Sequence, residues 1–64
     1  MTRADLIRHL ESNECVFVRE GARHTVYKNL ANGLFSAVPR HRQIKKGLVR
    51  KICQDLNIPR PRAL

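Results

Sequence analysis

Acidic residues are scarce in this sequence: five Asp and Glu stand against thirteen Lys and Arg in 64 residues, leaving a net charge of +8. An isoelectric point near 10.9 excludes a chain that avoids anions, and it points first to nucleic acid, because a basic surface gains free energy by releasing counterions from phosphates. Long apolar runs are missing as well. No uninterrupted stretch approaches the roughly 18 to 20 residues that a spanning helix needs, and the short separated runs do not make a basic amphipathic membrane peptide. The first residues, MTRADLIRHL, carry an acid at Asp5 and no apolar segment, so we expect no signal peptide and a cytoplasmic protein. Cysteine is sparse. Cys15 and Cys53 show no CxxC spacing and sit inside apolar patterns, as small buried hydrophobes do. With His9, His24 and His41 scattered, no compact set of four zinc ligands can be drawn. We therefore expect no metal and no cofactor. A chain this short has room for one domain and one modest core, and it contains no internal repeat or low-complexity segment.

What is present divides into five elements. Thr2 followed by Asp5 resembles a capping pair, and Leu6, Ile7 and Leu10 fall on one face behind it. This predicts a first helix over Arg3 to Ser12, stopped at Asn13. CVFVRE, residues 15 to 20, is β-branched and aromatic and reads as a strand. HTVYKN follows after the connection Gly21–Arg23, which makes an antiparallel hairpin. Asn32 and Gly33 form a second turn signal with a residue able to take positive φ, and LFSAVP, ended by Pro39, is the third strand. The alternation does not decide whether Cys15 and Phe17 or Val16 and Val18 face the core. Ile44, Leu48, Val49, Ile52, Cys53 and Leu56 occupy about half of a helical wheel. Gly47 would cost about 1 kcal/mol in a helix interior, so this helix should start close to it and end at Asn57. Pro59 and Pro61 prevent its continuation. The division expected is one domain over 1–58 and a short Pro/Arg tail over 59–64, frayed or extended.

Helix, three antiparallel strands, helix is an α+β order that packs two helices on one face of a small sheet. It is the order of the double-stranded-RNA-binding fold, with which the charge agrees. A closer resemblance is carried by FVREGARHTVYKN and AVPRHRQIKKGLVRKI. Gly21, His24 and Tyr27 form a Gly-x-x-His-x-x-Tyr run, and Val38, Pro39 and His41 form a Val-Pro-x-His segment leading into Lys45-Lys46-Gly47. From about Thr2 to Ile58 the chain resembles the HicA toxin family, the small ribonuclease half of a bacterial toxin and antitoxin pair. The resemblance implies that same compact fold, cleavage of mRNA, silencing by a cognate HicB-like antitoxin protein, and a single functional histidine at His24. Three positions depart from the family's usual pattern. Gly-Ala-Arg-His replaces Gly-Ser-His and puts Arg23 in the turn, Cys15 stands for a bulkier aromatic, and Leu48 stands where Thr is common.

Residue chemistry leaves two readings of His24 open. RNA carries its own nucleophile in the 2′-hydroxyl, and an imidazole changes charge in the physiological pH range, so His24 is suited to take that proton as the general base. Alternatively it is a polar residue at a strand edge, bonded to solvent or backbone. His24, Val26 and Lys28 share one strand face, with Thr25 and Tyr27 on the other, and Arg19, Arg23 and Lys28 are the cations expected near a scissile phosphate. His41 is either an accessory acid for the leaving oxygen or a phosphate contact or solvated loop residue, whereas His9 reads as structural or solvated. Arg40, Arg42, Lys45, Lys46 and Arg50 form a cationic stretch suited to RNA-binding through phosphates, or else a solvated helix face. Three functions follow: an endoribonuclease toxin that needs no metal, a noncatalytic double-stranded-RNA-binding module, and a small protein whose role is to dock on a partner.

Overall fold

Thr2 starts the fold as expected. Its backbone is extended and its hydroxyl accepts from the Asp5 amide at 3.1 Å, which satisfies one of the unpaired donors of a first helical turn. In the computed structural model, which describes residues 1–62, α1 runs over Arg3–Ser12 and is followed by β1 (Cys15–Glu20), β2 (His24–Asn29), β3 (Phe35–Pro39) and α2 (Lys46–Leu56). The strands form one antiparallel sheet in the order β1-β2-β3. The third strand begins at Phe35 and not at Leu34, whose amide is held by the Asn32 side chain at 2.9 Å. Gly33 takes a φ of 78° in that turn, as its sequence context requires. Ala63 and Leu64, the end of the expected tail, lie outside the described residues.

The helices cover one sheet face. Leu6 and Leu10 of α1 and Val49, Ile52, Cys53 and Leu56 of α2 are buried against Cys15, Tyr27 and Val38. Thr25, Tyr27 and Asn29 of β2 are buried while His24 is exposed, so the expected alternation on β2 holds. Burial pushes both thiols above their ordinary pKa, consistent with small hydrophobes. Asn29 and Asn32 both donate to the Leu56 carbonyl, at 2.9 and 3.0 Å. These bonds tie the end of α2 to the β2–β3 turn and satisfy an orphan acceptor. Asn57 then ends the helix in the left-handed region, with Ile58 N–H bonded to Cys53 O at 3.0 Å, a glycine-free version of the left-handed cap.

A bulge explains why β1 was ambiguous. Phe17 pairs with Tyr27, but Arg19 pairs with Val26, leaving Val18 as an extra residue. Cys15 faces the helices. Beyond the bulge the parity of the strand inverts, so Arg19 joins the open face beside Val26 and Glu20 turns to the helix face opposite Thr25. The sheet carries exposed apolar side chains on both faces: Phe35, 53% exposed, and Val16 lie on the open face, Phe17, 54% exposed, shares the face of Tyr27 on the edge strand, and Val18 and Leu34 are exposed too.

Of the two forms expected for the tail, frayed or extended, its described part is extended and docked. The Nε2 of His9 lies 2.7 Å from the Pro59 carbonyl, Ile58 is half-buried and Pro61 is buried. No helix of the described residues is long and apolar enough to cross a membrane.

Asp5 gives the fold a pH-dependent component. Its hydrogen bond with the Thr2 side chain, followed by the neighbouring Arg8, holds its carboxyl below the ordinary value. A depressed folded-state pKa contributes stability above the unfolded value that is lost as pH falls through the folded one. Asp5→Asn should therefore lower the Tm at about pH 7 and lower it less at about pH 2, where protonation of the carboxyl diminishes the difference. Calorimetry at the two pH values checks this, and an equal loss at both would contradict it.

Candidate functional site

Gly21 closes the β1–β2 connection by donating its N–H to the carbonyl of His24 at 2.7 Å. A Cβ on Gly21 would stand 3.1 Å from that same oxygen, a tight approach that favours glycine at this position. His24 is the first residue of β2, pairs with Pro39 of β3 and is exposed. Its main chain is fixed from both sides while its ring is free.

A line of polar contacts holds this end of the sheet. Arg40 donates to the Gly21 carbonyl and pairs through Nε with Glu20 at 3.3 Å. Glu20 accepts from the Thr25 hydroxyl at 2.9 Å, which accepts from Arg3 Nη2 at 2.8 Å. Arg3 also donates from Nε to the Pro39 carbonyl at 3.0 Å. The chain start adds backbone bonds to the segment after β3: Arg3 N–H to Arg42 O and Ile44 N–H to Met1 O, both at 2.8 Å. His41 is therefore bracketed by tethered residues. The loop that carries it is fixed relative to the hairpin that carries His24.

Three shallow depressions adjoin along this end. The central one, about 540 Å³, is lined by Ala22, Arg23, His24, Pro39, Arg40 and His41. It brings both candidate histidines together with two guanidinium groups. A second lies on the open sheet face, shares Arg23 and His24, and adds Arg19, Val26 and Ala37. The third shares His41 and runs to the start of α2. The sequence has no acid between Glu20 and Asp55, and the ion pairs among the described residues are Arg8–Asp5, Arg40–Glu20 and Lys51–Asp55. Arg19, Arg23 and Lys45 thus line this groove without an acidic partner among the described residues, which gives it a positive potential.

Other expected residues fall elsewhere. Lys28 sits at the far end of β2, with its Nζ 5.4 Å from the Phe35 ring centroid, in a cation–π contact. It is not among the residues lining the His24 depressions. Arg42 and Lys46 are exposed outside the depressions, and Arg50 lines a cleft with Arg60 beside the tail. His9 bonds the tail, in line with a structural role. No group of three or more His, Cys, Asp or Glu that could hold a metal ion occurs among the described residues.

Sequence reasoning missed Arg3, Glu20 and Thr25. A hydroxyl on the buried face of β2 was the available signal, since a buried polar group requires a partner. Nothing in the spacing identified Arg3 as that partner.

The HicA_toxin family model, described as the HicA toxin of bacterial toxin-antitoxin systems, matches residues 3–58. No curated protein and no solved structure gives a significant match.

The contact line predicts unequal costs. Thr25 is 2% exposed, so Thr25→Val, which strands the Arg3 donor, should cost about 1–3 kcal/mol. Glu20 and Arg40 are about half exposed, so Glu20→Gln should cost no more than about 1 kcal/mol. Urea denaturation of the two variants measures the difference, and equal losses would contradict the arrangement.

Proposed function

We propose that this chain, which belongs to the HicA toxin family, is an endoribonuclease that cleaves mRNA by general acid–base chemistry with His24 as the base. The observation that carries the reading is the shared lining of one depression by His24, His41, Arg23 and Arg40. A phosphodiester placed there meets two imidazoles and two guanidinium groups. His24 takes the proton of the 2′-hydroxyl, and the 2′-oxygen attacks the adjacent phosphorus. Arg23, which has no acidic partner among the described residues, stabilises the charge of the pentacoordinate phosphorus. His41 gives a proton to the departing 5′-oxygen. The products are a 2′,3′-cyclic phosphate and a 5′-hydroxyl end, and proton gain and loss balance without an external nucleophile.

Arg40 has a different part from the one its charge alone suggests. Its guanidinium is engaged by Glu20 and Gly21, so it orients the turn first and contributes positive field second. Arg19, Arg42, Lys45, Lys46 and Arg50 supply sequence-independent attraction for the backbone on either side. A toxin family implies an antitoxin, and a HicB-like partner with an acidic surface complements this groove. Attack on mRNA places the action in the cytoplasm.

Single-stranded RNA incubated with the purified protein and excess chelator tests the mechanism. Cleavage should leave cyclic phosphate ends and should stop when the 2′-hydroxyl at the cleaved position is replaced by hydrogen. His24→Ala should reduce the rate about 10²- to 10⁴-fold with RNA affinity and Tm nearly unchanged; full activity in that variant overturns the assignment. His41→Ala should slow cleavage less and remove the limb of the pH–rate profile that reports the acid. RNA retained without cutting would instead favour the binding module that the α-β-β-β-α order also suits.

A further inference from the structure

The geometry points to a nucleobase-binding subsite at the start of α2, in which Leu48 packs against the base of the nucleotide next to the scissile phosphate. This rests on the ribonuclease reading above and extends it from the phosphate to the base. The depression measures about 490 Å³ and is lined by His41, Gln43, Ile44, Lys45 and Leu48.

Leu48 motivates the assignment. On α2 the apolar residues Val49, Ile52, Cys53 and Leu56 are all buried, whereas Leu48 in the first turn is 36% exposed. The core does not use it. Beside it, Ile44 is buried and extends the apolar floor. The rim differs: Gln43 offers an amide, and Lys45 a cation that makes no ion pair among the described residues. An apolar floor with a polar, cationic rim suits a flat heterocycle whose faces are apolar, whose edge hydrogen-bonds and whose backbone is anionic.

Continuity fixes which base is meant. His41 lines both this depression and the one that holds His24. A strand whose scissile phosphate lies between the two histidines passes His41 to reach Leu48, so the base received is the immediate neighbour on that side. Backbone bonds from the chain start hold the segment between, at Arg42 and Ile44. The subsite is therefore built before RNA arrives.

The test uses short oligoribonucleotides in which one base at a time is removed, leaving an abasic ribose, on each side of a bond first mapped on a longer transcript. With wild-type protein and excess chelator, one flanking abasic position should raise KM on the order of tenfold with kcat little changed. Leu48→Ala, at a partly exposed position, should raise KM for the intact oligomer by a similar factor and abolish its sensitivity to that abasic position. Unchanged sensitivity in Leu48→Ala, or a wild type indifferent to every flanking base, overturns the subsite while cleavage lost in His24→Ala leaves the ribonuclease reading standing. An antitoxin affinity weakened by Leu48→Ala with the abasic profile intact assigns the depression to the partner and also overturns it. Absence of any cleavage by the wild type removes the reading and the subsite together.

Discussion

The extra residue in β1 is the constraint on which the rest of this structure depends. Without the bulge at Val18, the pairing of Phe17 with Tyr27 would carry Arg19 opposite Thr25, onto the helix side of the sheet. One inserted residue exchanges them. Arg19 goes to the open face, where an anion can reach it, and Glu20 goes to the helix face, where Thr25 and Arg40 can bond it. Bulges re-aim side chains next to functional positions in just this manner. The polarity of the groove and its internal bracing both follow from the one irregularity.

That bracing is modest in energy and specific in position. The exposed Glu20–Arg40 pair adds little to stability, but it closes a path from the first turn of α1 through Thr25 to the turn before His24. Each link is a directional bond to an atom whose place is set by the sheet. Two histidines 17 positions apart (24 to 41) are thereby held on one depression by main-chain contacts, with both residues exposed. Preorganisation of this kind removes ordering cost from the bound state.

The elements were legible because their signals are local. The Thr2 cap, the wheel of α2 and the β-branched runs each act within a few residues, and α1, β1 and β2 fall where those signals put them. The exposed placement of His24 at the start of β2 was legible through strand parity. The bulge was not, since Val18 lies in a run whose members all favour strands and none marks an irregularity. Arg3 was not, because its partners lie 22 and 36 residues away. The docked tail was hidden for a related reason: prolines state where a helix must stop, and it is His9 and the core that decide where the chain goes next. Lys28 shares a face with His24, yet a strand separates them by four residues, roughly 13 Å at its rise per residue.

The exposed apolar side chains of the sheet have a consequence for how the protein behaves in bulk. Exposed Phe17 and Phe35, with Val16 and Val18 nearby, would draw copies together in a neutral molecule. A charge of +8 keeps them apart by mutual repulsion. Colloidal stability is thus conditional on that charge being uncompensated, and a polyanion that neutralises it also unmasks the apolar surface.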